Sequence, residues 1–330
     1  MQMIRSNQLF EYQRTIFDSI TISGIGVHSG TQSHLTLYPV KENTGIILRS
    51  SQLDKVVHTV PALWKNVVKT DWCTVLGSYP NHFYTVEHLM ATLYAFGIDN
   101  VIIEIDGHEI PIMDGSAKAF VDSISRVGMT TLGAKRRYIR ILKPVRICCG
   151  DSWAEFVPYD AMRFEIEIAF DSQVIGRQKW KGNLTEKVFC DQISSARTFG
   201  FLRDAKYYRK LGYSLGSSLE NTVVISEDDK ILNPEGLRYP HDEFVRHKAM
   251  DAIGDIALAG AQFIGCYRSY RGGHQVNHMA LCALLSDHSA YEIIDDIGMF
   301  KNVSSQQSRM SSAPCSKMVQ ENAMLLQRKD

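Results

Sequence analysis

The sequence lacks the features of secreted and membrane-spanning proteins. Its seven cysteines include no C-x-x-C pair, which argues against a disulfide framework and against a cysteine zinc knuckle. The N-terminal stretch MQMIRSNQLFEYQR contains no apolar core of a secretory signal. No uncharged apolar run approaches the ~20 residues that a transmembrane helix needs. We therefore expect a cytoplasmic protein, which leaves peripheral contact with a membrane open.

An excess of charge of either sign is also lacking, because 36 Lys and Arg residues balance 36 Asp and Glu residues. Nucleic-acid binding usually requires a basic surface, so we expect no nucleic-acid partner. The hydrophobic content of 45% and the charged content of 22% are ordinary for a globular protein. A length of 330 residues is enough for about two domains.

Short β-like runs followed by helical patterns occur twice along the chain. The first series begins with TIFDSITI and ends with helices at about 84–96 and 114–126. The stretch GMTTLGAKRR then precedes a second series that begins with YIRILKPV. Its helices are predicted at about 185–193, 202–211, 243–259 and 275–285. We predict an N-terminal domain over 1–133, a C-terminal domain over 134–300 and a loose tail over 301–330.

The segment DEFVRHKAMDAIGD spaces His247, Asp251 and Asp255 four residues apart. A helix with Asp242 as its N-cap would stack all three side chains on one side. An imidazole and a carboxylate at this spacing can hold one metal ion, but a solvated polar face explains the pattern equally well. A catalytic zinc site uses three protein ligands, so at least one ligand would come from another segment.

A second segment, VEHLMATLYAFG, is apolar on nearly all sides of a helix and yet opens with Glu87 and His88. An ionised carboxylate in a core must be paired or lie beside a metal. Adjacent helical residues point about 100° apart, which favours one ligand, His88, beside one base, Glu87. A helix-capping Glu and a core His are the structural alternative. With His247 and Asp251, His88 would leave one coordination position open for water.

Two further polar residues lie in segments that indicate function less strongly. Glycines precede His274 in YRSYRGGHQVNH and predict a loop at the end of a strand. There a mobile, partly exposed His would titrate near neutrality, with Asp255 as its orienting partner, and a surface His is the alternative. Thr198 in SSARTFGF reads by itself as a buried strand end. We interpret GIGVHSG as a turn between strands and its His28 as a surface histidine.

Six segments together resemble one family, the zinc-dependent UDP-3-O-acyl-N-acetylglucosamine deacetylases of lipid A biosynthesis. They occur in the family's order over residues 23–278 and are SGIGVHSG, TVEHLMATLYAFGIDN, EIPIMDGSA, ISSARTFGF, GLRYPHDEFVRHKAMDAIGD and RGGH followed by QVN. The resemblance thins after about residue 285 and provides no counterpart for the tail.

The resemblance implies an α+β fold of two similar domains. Each domain packs a β-sheet on two α-helices, and the helices of the two domains face each other across the active site. The second domain carries a βαβ insert at about 199–232, which forms a passage for the acyl chain. The passage positions are Ala205, Ser214, Ser217, Leu219 and Val224. This sequence has Trp72 near the mouth of the site, where the family more often has an aliphatic residue.

The resemblance also implies roles for the polar residues of the matching segments. The metal ligands would be His88, His247 and Asp251, holding Zn²⁺, with Fe²⁺ as the alternative in the cell. Glu87 would be the general base, and His274, oriented by Asp255, the general acid. Thr198 would bond the oxyanion, while Lys248 and Phe199 would hold the substrate.

We predict hydrolysis of the 2-acetamido group of UDP-3-O-(3-hydroxyacyl)-N-acetylglucosamine, with release of acetate. This small molecule would be the partner of a monomer in the cytoplasm of a Gram-negative bacterium. Two alternatives stay open. Two His and one carboxylate also form the triad of non-haem iron oxygenases, although these enzymes need no base at the position of Glu87. A non-catalytic, metal-stabilised binding protein would usually close its site with a fourth protein ligand.

Overall fold

The computed structural model describes residues 9–50, 59–79 and 81–295. The strands of the first half are β1 (Tyr12–Ile16), β2 (Ile20–Ile25), β3 (Gln32–Pro39), β4 (Ile46–Ser50), β5 (Thr59–Pro61), β6 (Val67–Lys69), β7 (Val75–Ser78), β8 (Asn81–Phe83), β9 (Val101–Ile105) and β10 (Met129–Lys135). Its helices are α1 (Glu87–Ala95) and α2 (Lys118–Val127), with a 3-10 helix at Trp64–Asn66.

The main sheet of this half has the order β2-β3-β9-β4-β5. Buried and exposed side chains alternate along β3, because one face of the sheet packs on the core. On that face Leu35 of β3 lies opposite Ile22 of β2 and Ile105 of β9. Helix α1 is buried along its whole length, which confirms the prediction from its apolar sequence.

Up to residue 295, where the description ends, the second half contains a larger sheet and four helices. Its strands are β11 (Tyr138–Ile141), β12 (Val145–Cys149), β13 (Ser152–Val157), β14 (Met162–Ala169), β15 (Arg177–Asn183), β16 (Phe199–Phe201), β17 (Val223–Ile225), β18 (Gln262–Tyr270) and β19 (Tyr291–Ile294). Its helices are α3 (Glu186–Gln192), α4 (Leu202–Lys210), α5 (Glu243–Ala257) and α6 (His274–Ser286).

Strand β18 is the central strand of the seven-stranded sheet and is buried along most of its length. It pairs in parallel with β11 and β14 and antiparallel with β13. Strands β16 and β17 form a separate parallel pair connected through α4. This pair confirms the predicted βαβ insert. A sheet with α1 and α2 and a sheet with α5 and α6 confirm the α+β class of two similar domains.

Helices α1 and α5 meet between the two halves at a very close approach. A Cβ added to Gly254 of α5 would lie 2.0 Å from the backbone oxygen of Glu87. Only glycine allows the two backbones to come this near. The contact places the first turn of α1 beside the face of α5 that carries His247, Asp251 and Asp255.

Two aspartates that were predicted to cap helix N-termini do not cap them. Helix α2 begins at Lys118 and not near Asp114, whose carboxylate accepts hydrogen bonds from Ser116 and Arg238. Asp242 does occupy the N-cap of α5, but its side chain bonds Arg246 one turn later and caps no backbone N–H. In both cases a nearby guanidinium competes successfully for the carboxylate.

The predicted domain limits stay predictions. Residue 133 falls inside β10, which pairs antiparallel with β1. The tail predicted over 301–330 lies outside the described residues. Among the described helices, none is both long and apolar enough to cross a membrane.

Replacing Gly254 with Ala should destabilise the protein by roughly 1–3 kcal/mol, because α1 and α5 must move apart. In an ordinary helix the same change stabilises by about 1 kcal/mol, so the sign identifies the contact. Urea unfolding of both proteins measures the difference. Gly133→Ala is the control, since a Cβ there meets only a carboxylate oxygen of Glu42 at 3.9 Å. An unchanged or raised unfolding midpoint for Gly254→Ala would contradict the close approach.

Candidate active site

A cavity of about 650 Å³ opens beside the contact of α1 with α5. Its polar part is lined by side chains of α1, α5 and the start of α6. Its apolar part is lined largely by the βαβ insert and includes every predicted passage residue: Ala205, Ser214, Ser217, Leu219 and Val224. A cavity of this size and mixed character is typical of a small-molecule site.

Three buried side chains in the polar part could hold a metal ion. We call His88, His247 and Asp251 the metal group. His88 Nε2 lies 3.6 Å from Asp251 Oδ1, and His247 Nε2 lies 3.4 Å from the same oxygen. One ligand atom from each residue lies within 4.8 Å of the others. Asp251 Oδ1 is buried and has no hydrogen-bond partner. A cation between the two imidazoles would satisfy this oxygen, and two nitrogens with one carboxylate suit zinc or iron(II).

The surroundings of this metal group favour the forms that bind a cation. Burial lowers the pKa of His247 to about 3, so its ring is neutral at pH 7. Burial alone would raise the pKa of Asp251, but its basic neighbours, among them the Lys248 ammonium, hold it well below its ordinary value. Lys248 Nζ donates to Asp251 Oδ2 at 2.6 Å. Since His247, Asp251 and Asp255 are all buried, the alternative of a solvated polar face was wrong.

Glu87 is the first residue of α1 and is buried beside the metal group. Its Oε2 accepts a hydrogen bond from the backbone N–H of Thr74 at 3.1 Å. Its Oε1 lies 3.8 Å from His274 Nε2. Burial raises the pKa of the Glu87 carboxyl, while His274 and His88 oppose this shift. A carboxylate with a raised pKa is a better proton acceptor near neutrality.

His274 begins α6 and is buried, so the expectation of a mobile, exposed loop was wrong. The glycines before it form only a short connection between β18 and α6. His274 Nδ1 lies 2.9 Å from Asp255 Oδ2. Burial lowers the pKa of His274, but the Asp255 and Glu87 carboxylates outweigh this and raise it to about 9. The ring is therefore protonated at neutral pH.

Asp255 is held in place by two residues that the sequence analysis missed. Thr74 Oγ1 donates to Asp255 Oδ1 at 2.6 Å, and Asn277 Nδ2 donates to Oδ2 at 2.8 Å. Asn277 follows His274 by three residues in QVN, and this helical spacing was a usable signal. No local signal identifies Thr74, because it precedes Asp255 by 181 positions.

Thr198 and Phe199 line the cavity next to the metal group. The backbone N–H of Thr198 bonds the carbonyl of Gly115, which fixes this segment against the first half. The Phe199 ring lies edge-on to His247, with ring centroids 6.0 Å apart. His28 also lines the cavity and is half-buried, whereas the sequence analysis treated it as a surface histidine. The buried Glu109 carboxylate holds its loop through the His28 backbone N–H.

A family model described as UDP-3-O-acyl N-acetylglycosamine deacetylase matches residues 13–286. The chain belongs to this family. Proteins named UDP-3-O-acyl-N-acetylglucosamine deacetylase from Brucella ovis and Brucella canis are each 49% identical to it over 284 residues. A protein of that name from Brucella melitensis biotype 2 has the same identity. Each match covers 86% of this chain and 99% of the relative.

Membership of the deacetylase family confirms the resemblance seen in the six segments. The family is metal-dependent, and the matched residues include all three members of the metal group. The deacetylase match also extends through the βαβ insert and α6, so both parts of the cavity lie inside it.

Replacing His247 with Ala should lower metal affinity by more than roughly 100-fold, because one of three ligands is lost. Metal content after dialysis, measured by plasma mass spectrometry, checks this. His278→Ala is the matched control, since His278 is a half-buried residue of α6 whose ring contacts Cys282. Full metal occupancy in His247→Ala would remove His247 from the ligand set.

Replacing Asp255 with Asn should lower the pKa of His274 from about 9 toward the ordinary value of about 6.5. In the unchanged protein this raised pKa stabilises the folded state below about pH 6.5, and the stabilisation is lost as the pH rises through about 9. NMR titration of the imidazole measures the pKa of His274 in the unchanged protein and in Asp255→Asn. Asp122→Asn, an exposed change on α2, should leave the His274 titration unaltered. An equal pKa in Asp255→Asn would disprove the dependence on Asp255.

Proposed function

We propose that the chain hydrolyses the 2-acetamido group of UDP-3-O-(3-hydroxyacyl)-N-acetylglucosamine and releases acetate, a step of lipid A biosynthesis. The unpartnered Asp251 oxygen between His88 and His247 carries this proposal. It lies in a cavity of about 650 Å³ that is also lined by Glu87, His274 and the apolar residues of the insert. The family match supports the same substrate class.

The metal in this proposal is zinc, with iron(II) as the alternative that the same ligands accept. His88, His247 and Asp251 would hold it. A zinc ion bound there would polarise the amide carbonyl and lower the pKa of a bound water from ~15.7 to ~7. Lys248 would keep Asp251 ionised and correctly turned, because its ammonium group bonds the other carboxylate oxygen.

Glu87 is the general base of the proposed reaction. Its carboxylate takes a proton from the attacking water, and the Thr74 N–H holds it in the required orientation. General-base assistance of this kind is typically worth ~10²–10⁴-fold in rate. The raised pKa of the Glu87 carboxyl brings it closer to the pKa of the water whose proton it must accept.

His274 is the general acid. Asp255 keeps the imidazole protonated through Nδ1, which leaves the Nε2 proton free to reach the leaving amine. Thr198 donates a hydrogen bond to the oxyanion, and the positive charge of His274 adds to this stabilisation. Because Glu87 works deprotonated and His274 protonated, kcat/KM falls at low pH and again as the pH rises through about 9.

The remaining residues bind and position the substrate. Phe199 packs against the sugar side of the cavity, and Lys248 uses one of its two remaining N–H groups to reach the substrate. The 3-O-acyl chain extends into the apolar part lined by Ala205, Ser214, Ser217, Leu219 and Val224. We also propose that the protein is a monomer and that its two domains meet near residue 133. A peripheral contact with a membrane is compatible with this proposal.

The position of Glu87 favours hydrolysis over an iron oxygenase, which would need no base beside the metal group. A closed structural metal site is also disfavoured. The metal group formed by the described residues has three members and no cysteine, whereas structural zinc sites have four protein ligands.

The test is incubation with UDP-3-O-acyl-N-acetylglucosamine, with and without a chelator, followed by an assay for acetate. The wild type should release acetate under anaerobic conditions, and the chelator should stop it. Glu87→Gln should retain the metal and lose at least ~10²-fold in kcat. Glu42→Gln, an exposed change in a loop, should behave as the wild type. Normal turnover by Glu87→Gln would eliminate Glu87 as the base, and no acetate from the wild type would refute the proposed function.

A further inference from the structure

Trp72 contributes the largest side chain that lines the cavity, and it comes from the first half of the chain. Its φ of +64° lies in the left-handed region, which a bulky side chain rarely occupies. Such a backbone persists only where its neighbours enforce it, and it is typical of functional positions. The indole is 40% exposed, so much of one surface remains available to a ligand.

Two tyrosines of the second half hold the indole ring in place. The Tyr213 ring lies 4.4 Å from the Trp72 ring, and the Tyr208 ring of α4 lies 5.5 Å from it. Lys69 Nζ donates to the Tyr213 hydroxyl at 2.5 Å and lies 5.6 Å from the Trp72 ring centroid. We call Trp72, Tyr208, Tyr213 and Lys69 the aromatic wall, which connects the segment after β6 to the insert.

Trp72 and Tyr208 of the aromatic wall line the cavity, where they differ from the predicted passage residues. Ala205, Leu219 and Val224, for example, are small or aliphatic. A flexible acyl chain gains affinity mainly from the apolar area that it removes from water. A broad ring already fixed by its neighbours supplies this area at little additional cost in side-chain entropy.

We propose that Trp72 is a specificity-determining residue that packs against the 3-O-acyl chain of the substrate. Tyr208, Tyr213 and Lys69 are positioning residues that hold the indole against the cavity. This inference rests on the proposed function, because that function supplies the acylated substrate. Contact with a long chain, which is the same in the ground state and in the transition state, lowers KM and leaves kcat unchanged.

The kinetic experiment compares substrates that carry a long or a short 3-O-acyl group. Trp72→Ala should raise KM for the long-chain substrate by roughly tenfold and change KM for the short-chain substrate little. Its kcat should stay near that of the wild type with both substrates. Trp72→Phe should recover most of the long-chain affinity. Tyr79→Ala is the control, because Tyr79 is 88% exposed and stacks on His82.

A binding experiment tests the same contact without turnover. The chain has four tryptophans, and Trp64, Trp153 and Trp180 remain when Trp72 is replaced. The long-chain deacetylated product should change the fluorescence of the wild type, and this change should be absent in Trp72→Phe. The short-chain product should give a smaller signal in the wild type.

Several outcomes would overturn the role of Trp72. Equal rises of KM for long and short chains in Trp72→Ala would mean that Trp72 acts through the fold alone. An unchanged KM for the long chain, or an unaltered fluorescence response in Trp72→Phe, would reject the contact. If the wild type releases no acetate, the proposed function is rejected. The fluorescence measurement still decides whether Trp72 contacts the acyl chain, because it requires no turnover.

Discussion

The charged side chains between α1 and α5 impose the main constraint on this structure. Glu87, Asp251, Asp255 and His274 lie almost out of contact with solvent, where an uncompensated charge would cost far more than a folded domain can supply. Asp255 accepts three hydrogen bonds, and Glu87 accepts one from a backbone N–H. The Asp251 oxygen that faces two imidazoles is the exception. The polar network is complete once a cation occupies that position, which joins the stability of the helix pair to the chemistry of the site.

A second buried charge pair fixes where α5 begins. Arg197 and Glu243 are both buried, and their side chains bond at 2.9 Å. Glu243 Oε2 also accepts from the backbone of Arg238. Because Arg197 directly precedes Thr198, this pair ties the segment carrying the proposed oxyanion donor to the helix carrying two of the proposed metal ligands. The position of the Thr198 segment relative to α5 therefore depends on a buried ion pair. An exposed pair of polar groups would not hold the two in place as firmly.

Local pattern predicted the elements well and their long-range contacts poorly. The continuous apolar sequence of α1 and the apolar periodicity of α5, which is 15 residues long, identified the two helices. The His247 and Asp251 pair follows from a spacing of four within one helix. The position of His274 at the start of a helix did not follow from the sequence. Its preceding glycines fit an exposed loop after a strand as well as a short connection before a helix. Thr74 could not be found at all, because its partner is set by the crossing of two halves of the chain.

The bond between Thr74 and Asp255 also has a meaning for the order of folding. It closes a loop of 181 residues, and an early intermediate gains nothing to offset the entropy of that closure. Of the three proposed metal ligands, α5 supplies His247 and Asp251 from one turn of helix, and α1 supplies His88. The complete set of three therefore exists only once α1 has docked at Gly254. In the proposed enzyme, tight retention of a metal would report that the two halves have assembled.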